Sequence, residues 1–104
     1  MIVTTADVLP GQKVQVLGLV AGNVVTAKHI GRDIMAGFKN IAGGEIKSYT
    51  DMMFEGRQIA EQRMVANAQA MGAAAVVSMR FDGSSVMEGA IDFLAYGTAV
   101  RFVQ

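Results

Sequence analysis

The side chains able to do chemistry fall in two stretches of opposite charge. Positions 28–47 carry Lys28, Arg32, Lys39 and Lys47 against Asp33 and Glu45, and positions 82–92 carry Asp82, Glu88 and Asp92 with no basic partner. In the first stretch Gly43 and Gly44 stand directly before Glu45 and a long helical pattern. Free amides at a helix start attract anions, so Arg32, Gly43 and Gly44 are the candidate residues for a small anionic ligand. The plainer alternative is a flexible joint, with Glu45 favourably placed at the positive end of the helix dipole.

Much else is excluded by what the chain lacks. There is no cysteine, which removes disulfide scaffolds, thiolate nucleophiles and cysteine-bound zinc. His29 is the sole histidine, so no HExxH motif or multi-histidine metal site exists within one subunit. Neither GxxxxGK[ST] nor GxGxxG occurs, and Ser48, Ser78, Ser84 and Ser85 lie in no nucleophile elbow. No catalytic residue is predicted, and the chain reads as a protein without enzymatic activity. Nine Lys and Arg against nine Asp and Glu leave no net charge, whereas a chain neutralising many phosphates carries a basic excess. Nucleic acid is therefore not an expected partner. No apolar run approaches the roughly 18 residues of a membrane span, and the first residues lack the pattern of a signal peptide, so a cytoplasmic location away from membranes is expected.

These residues need elements to position them. The length of 104 residues fits a single domain spanning 1–104, and 52% apolar residues rule out disorder. A short β-branched run at 2–4 precedes the turn chemistry of Pro10-Gly11. Residues 13–21 alternate and then become apolar on both sides, which marks a strand; Gly22-Asn23 reads as a hairpin-type break and 24–26 as a further short strand. A short helix is predicted over 33–40. Residues 46–72 contain no proline and end at glycine, predicting a helix of roughly 40 Å at 1.5 Å per residue. Strands are predicted after Gly72 and over the last fifteen residues, joined by a polar hairpin loop at 82–89. In the first of these, Val77, Met79 and Phe81 fall on one face. In the last, Leu94, Tyr96, Val100 and Phe102 share one face and Ile91, Phe93, Ala95, Ala99 and Val103 the other.

The order β-β-α-α-β-β argues an α+β, two-layer architecture: a mainly antiparallel sheet with one long and one short helix on one face. On the long helix the apolar sector covers about 200°, well beyond the roughly 100° that seats a helix on one sheet. Gly56 lies in that sector, where close approach of another backbone would offset its cost. With helices on one face only, apolar surface is left over on helix and sheet, and contiguous patches beyond a few hundred Å² are uncommon on monomers. Self-association into a homo-oligomer is the expectation.

Several segments then act together: Gly31-Arg32-Asp33-Ile34, Gly43-Gly44-Glu45, Tyr49, the 57–64 helix segment, Gly72-Ala73, Arg80-Phe81 and Ala95-Tyr96-Gly97-Thr98-Ala99-Val100. In this ordered set the chain resembles the YbjQ-like family over nearly its whole length. The resemblance implies a dodecin-like subunit form, a ring-shaped pentamer as the assembly, and no established enzyme activity. It also brings the family label "putative heavy-metal-binding", which sits poorly with a chain lacking cysteine. Under that label Asp33 and Glu45 are the candidate metal ligands, with Glu55 or carboxylates pooled at subunit interfaces as the other oxygen donors left, and oxygen donors favour Mg²⁺ or Ca²⁺ over soft metals. Likeness of form to dodecin does not extend to flavin binding, since a fold does not carry a function and there is no Trp to stack on an aromatic ligand.

Overall fold

The computed structural model describes residues 1–27 and 47–103. Among them the elements run β1 (Ile2–Val3), β2 (Val14–Ala27), α1 (Lys47–Ala70), β3 (Ala75–Met87) and β4 (Ala90–Phe102). The strands form one sheet in the order β1-β3-β4-β2, with β1 parallel to β3 and the other two pairings antiparallel. The α+β two-layer reading holds, with α1 laid across β2 and β4. The short helix expected over 33–40 lies outside the described residues.

Helix α1 matches its predicted span closely, because a proline-free run of helix formers has no internal stop. Its end is built by Gly72, whose φ of 82° is open to glycine at little cost. The Ala73 amide donates to the Ala68 carbonyl and the Gly72 amide to that of Gln69, both at 3.0 Å, which is a Schellman cap. The buried stripe consists of Met52, Gly56, Ala60, Met64 and Ala68. Met53 and Met71 belong to the wider apolar side and stay exposed, and so does Phe54, which falls among the polar residues Gln58 and Glu61. One sheet face thus uses less than the available apolar girth of the helix.

Strand β2 differs from expectation. It is one continuous 14-residue strand through Gly22 and Asn23, where a break is predicted. Gly22 serves packing instead. A β-carbon there would stand 2.5 Å from the Ala60 carbonyl oxygen and 2.7 Å from the Arg63 carbonyl carbon, so strand and helix backbones meet at this point. The close backbone approach expected at Gly56 therefore occurs at Gly22; Gly56 makes room for the Phe93 ring.

The polar stretch predicted as a loop also belongs to strands. β3 runs on to Met87, and the hairpin turns only at Glu88 and Gly89, between the paired residues Met87 and Ala90. The partner strand supplies what local propensity does not, a complete antiparallel ladder for Asp82, Gly83, Ser84 and Ser85.

The register shifts at three places, once at the hairpin end between Ser85 and Met87 and twice at bulges further into the sheet that reset which side chains face the helix. In β2 the register shifts between Val16 and Gly18, where Gly18 takes a φ of 139°. In β3 it shifts between Val77 and Arg80, and Ser78 adopts a φ of 53°, a left-handed conformation costing about 1–3 kcal/mol. The N-terminal segment holds Ser78 there: its amide donates to the Ala6 carbonyl at 2.9 Å and its hydroxyl to Asp7 Oδ1 at 2.6 Å. Gly97 sits opposite, and a β-carbon on it would meet Val76 Cγ1 at 2.8 Å and the Val77 carbonyl oxygen at 2.9 Å. The bulge divides the face predicted for Val77, Met79 and Phe81. Met79 joins Val76 in the main core, whereas Val77 packs with Ala75 and Val100 in a separate cluster under Leu9. Strict alternation fails because the inserted residue shifts every later side chain by one.

The main core lies between sheet and helix: Val20, Val76, Met79, Phe93, Ala95 and Ala99 against Ala60, Met64 and Ala68. The small alanines let the layers close. The chain measures 57 × 25 × 16 Å with a Cα radius of gyration of 17.1 Å, against about 13 Å for a compact domain of 100 residues. It is a long, thin slab.

Candidate functional site

The residues assigned to ligand and cation binding, Arg32, Asp33, Gly43, Gly44 and Glu45, all lie outside the described residues, as does His29. Described residues flank that segment on both sides. Ala27 pairs with Ala90 beside the β3–β4 turn, and Lys47 opens the helix that brings Tyr49 and Met53 to the same end. Here a cleft of about 350 Å³ opens between helix and hairpin, lined by Tyr49, Met53, Ser84, Ser85, Ile91 and Phe93 among others. Its wall is mainly apolar with hydroxyls at hand, the usual composition of a small-molecule site. Sequence reasoning missed the cleft because it read 82–89 as a loop.

A second feature is the sheet face turned away from α1. Pairing with core residues fixes the faces: Val20, Gly22 and Val24 stand opposite Gly97, Ala95 and Phe93 on the helix side. Val14, Val16, Leu19 and Val25 therefore point the other way, with Asp92, Tyr96 and Phe102 beside them. The division of β4 into two apolar faces follows the sequence pattern. Leu9 of the N-terminal segment covers the end of this face over Ala75, Val77 and Val100. The remainder is open: Leu19 is 77% exposed, Val16 64% and Val25 55%.

Asp92 stands on that face between Val25 and Ser84. Its Oδ1 is buried and has no hydrogen-bond partner among the described residues. A buried acceptor left unpaired costs about 1–3 kcal/mol, more when charged. One sequence signal marked it, a lone carboxylate within the apolar run Ile91, Phe93, Leu94.

A third feature lies on the helix side. Because α1 covers β2 and β4, the edge near β3 is left as a shallow groove where Phe54 and Phe81 flank Arg57, Gln58 and Glu61. Phe54 is 54% exposed and Phe81 45%. On the opposite edge α1 attends to its own sheet. The Asn67 amide donates to the Ala21 carbonyl at 2.7 Å and the Arg63 guanidinium to that of Asn23 at 2.9 Å, occupying acceptors that the outermost strand exposes.

The fold and these surfaces define a class, a small two-layer α+β protein with a thin core and several open apolar surfaces. The chain belongs to the family described as "putative heavy-metal-binding", YbjQ_1, which matches residues 1–103. It is 55% identical over 105 residues to a UPF0145 protein of Vibrio parahaemolyticus, covering all of both chains. It is 54% identical over 102 residues to a UPF0145 protein of Thermotoga maritima, covering 97% of this chain and 96% of that one. Among solved structures it is similar to a protein of unknown function of the DUF74 family from Pediococcus pentosaceus. That match has a TM-score of 0.70 at 13% identity and covers 99% of this chain and 98% of the other, so it bears on the fold alone.

The family's label can be tested against the donors. The chain has no cysteine, and among the described residues no group of three or more His, Cys, Asp or Glu could hold a metal ion. Asp92 offers a free oxygen, which is a hard donor, and no second carboxylate joins it in such a group. Among the described residues the donor set does not fit a soft heavy metal. Among the described residues no helix is long and apolar enough to cross a membrane.

Proposed function

We propose that the protein is a non-enzymatic homo-oligomer of the cytoplasm, a pentameric ring, that works as a structural or ligand-binding module. The observation that carries this reading is the open sheet face, where Val16, Leu19 and Val25 are more than half exposed on a slab 16 Å thick. A sheet that covers one side with a helix and leaves the other greasy loses free energy at about 25 cal/mol for each Å² left in water, and a second copy restores it. The five-membered ring rests on the family resemblance, and the ligand-binding half on the cleft beside Tyr49 and Ser85. The absence of catalysis rests on the sequence, which offers no nucleophile elbow, thiolate or phosphate loop.

Size-exclusion chromatography with light scattering tests the assembly. The expected mass is that of five subunits of 11.0 kDa. A species near 11.0 kDa at micromolar concentration would overturn the reading.

A further inference from the structure

We infer that the groove between the outer edge of β2 and helix α1 binds a small oxyanion, a phosphate or carboxylate group, through Arg63, Asn67 and the main-chain amides of Ala21 and Asn23. The groove has a volume of about 380 Å³ and is lined by Ala21, Gly22, Asn23, Arg63, Ala66 and Asn67. It shares no residue with the cleft beside Tyr49, and the assignment rests neither on that cleft nor on the proposed ring. β2 is the outermost strand and pairs with β4 on one side. In an antiparallel ladder alternate residues turn both N–H and C=O away from the partner strand. The carbonyls of Ala21 and Asn23, two residues apart, are taken by side chains of α1, so these two residues face outward and their amides do too. Gly22 between them lets the helix backbone lie close. Arg63, Ala66 and Asn67 follow at i, i+3 and i+4 and share one helix face, where Ala66 ends at its β-carbon and leaves room between the two longer side chains.

What the helix consumes decides the ligand. Asn67 Nδ2 donates to the Ala21 carbonyl at 2.7 Å and Arg63 Nη1 to the Asn23 carbonyl at 2.9 Å, so both outward acceptors are spent. Donors remain: the two strand-edge amides, the other N–H groups of the guanidinium and the second hydrogen of the Asn67 amide. A strand adding to this edge would need acceptors and donors in alternation, and here it meets donors alone. An oxyanion needs nothing else. No carboxylate lines the groove, so the charge of Arg63 is unopposed there. The guanidinium fork matches the paired oxygens of a carboxylate or a phosphate, which a point charge would not.

The test is an amide NMR titration of the full chain with inorganic phosphate and, in parallel, with acetate, using chloride at equal ionic strength as the control. The Ala21 and Asn23 amide signals are expected to shift saturably with a Kd on the order of 1 mM, and chloride is expected to leave them in place. Tighter binding of phosphate than of acetate assigns the site to phosphoryl groups, and the reverse order to carboxylates. Two variants locate it. Arg63→Gln removes the charge, and Ala66→Glu sets a carboxylate into the groove wall at an exposed position that the fold tolerates. Each is expected to weaken binding by about tenfold or more, with circular dichroism confirming the fold. Where Arg63→Gln does not fold, Ala66→Glu decides. No saturable shift with either anion, or an unchanged Kd in a folded variant, would overturn the assignment. Subunit mass is read separately by light scattering, so the ring can fail while this site stands, and the site can fail while the ring stands.

Discussion

Gly22, Gly56 and Gly97 show how much of this fold turns on the absence of a single carbon. Each sits where another group already fills the space of a β-carbon, yet the neighbours differ in what they can give. At Gly56 the obstacle is the Phe93 ring, whereas at Gly22 it is the main chain of α1, which cannot retreat without parting the two layers. Gly22→Ala is therefore expected to destabilise the protein by about 3 kcal/mol, the upper part of the range for overpacking, as read from urea unfolding. Gly83→Ala is the control: the nearest atom to its β-carbon would be the Asp92 carbonyl oxygen at 3.8 Å, an ordinary contact. Its unfolding midpoint is expected to stay close to that of the wild type. A loss at Gly83 as large as at Gly22 would contradict the steric account. Gly22 was visible in the sequence only as punctuation. Its neighbour Asn23 suggested a turn, and the helix 40 residues away that gives the glycine its purpose was out of view.

Elements in this protein are defended as well as formed. β2 is the outermost strand over 14 residues, a length that would invite pairing with foreign strands. Helix α1 reaches over it with Arg63 and Asn67 to engage the carbonyls of Asn23 and Ala21. The double substitution Arg63→Ala with Asn67→Ala is expected to cost about 1–3 kcal/mol in urea unfolding, roughly one net hydrogen bond each, and to hasten aggregation on heating. Unchanged stability and unchanged light scattering on heating would show that these contacts are incidental. Long elements were legible where their signal is local. The helix over 47–70 declared itself through composition and spacing, and β4 through apolar residues on both faces. The outer half of β3 did not, since Asp82, Gly83, Ser84 and Ser85 are poor strand formers held by pairing with β4.

At the level of the whole molecule, thinness is the dominant property. A slab 16 Å deep has a narrow core between its layers and a small cluster under Leu9, and the largest side chains below 2% exposure are Met64 and Val76 in the first and Val100 in the second. Such a subunit gains from a neighbour what it lacks internally, and this is the physical ground for the proposed ring. The metal label belongs at this scale too, because any site of several carboxylates must be assembled from more than one copy or from residues outside those described. Calorimetric titration with Cd²⁺ is expected to give a Kd weaker than about 1 μM, corresponding to less than about 8 kcal/mol of binding. Tighter binding, abolished by His29→Ala, would restore a soft-metal role.

Composition, charge balance and periodicity were enough to establish the α+β class, the long helix, the two apolar faces of the last strand and the lack of thiol, multi-histidine and phosphate-loop chemistry. All of these depend on residues close together along the chain or on their totals. The continuous β2, the switch of faces at Ser78, the cleft beside Tyr49 and the unpaired oxygen of Asp92 became apparent only once distant segments were brought together. Each arises from a contact between residues far apart in sequence. Val76 and Val77 are adjacent and chemically alike, yet one packs under the helix and the other under Leu9, because a bulge held by Ala6 and Asp7 resets the register beside them.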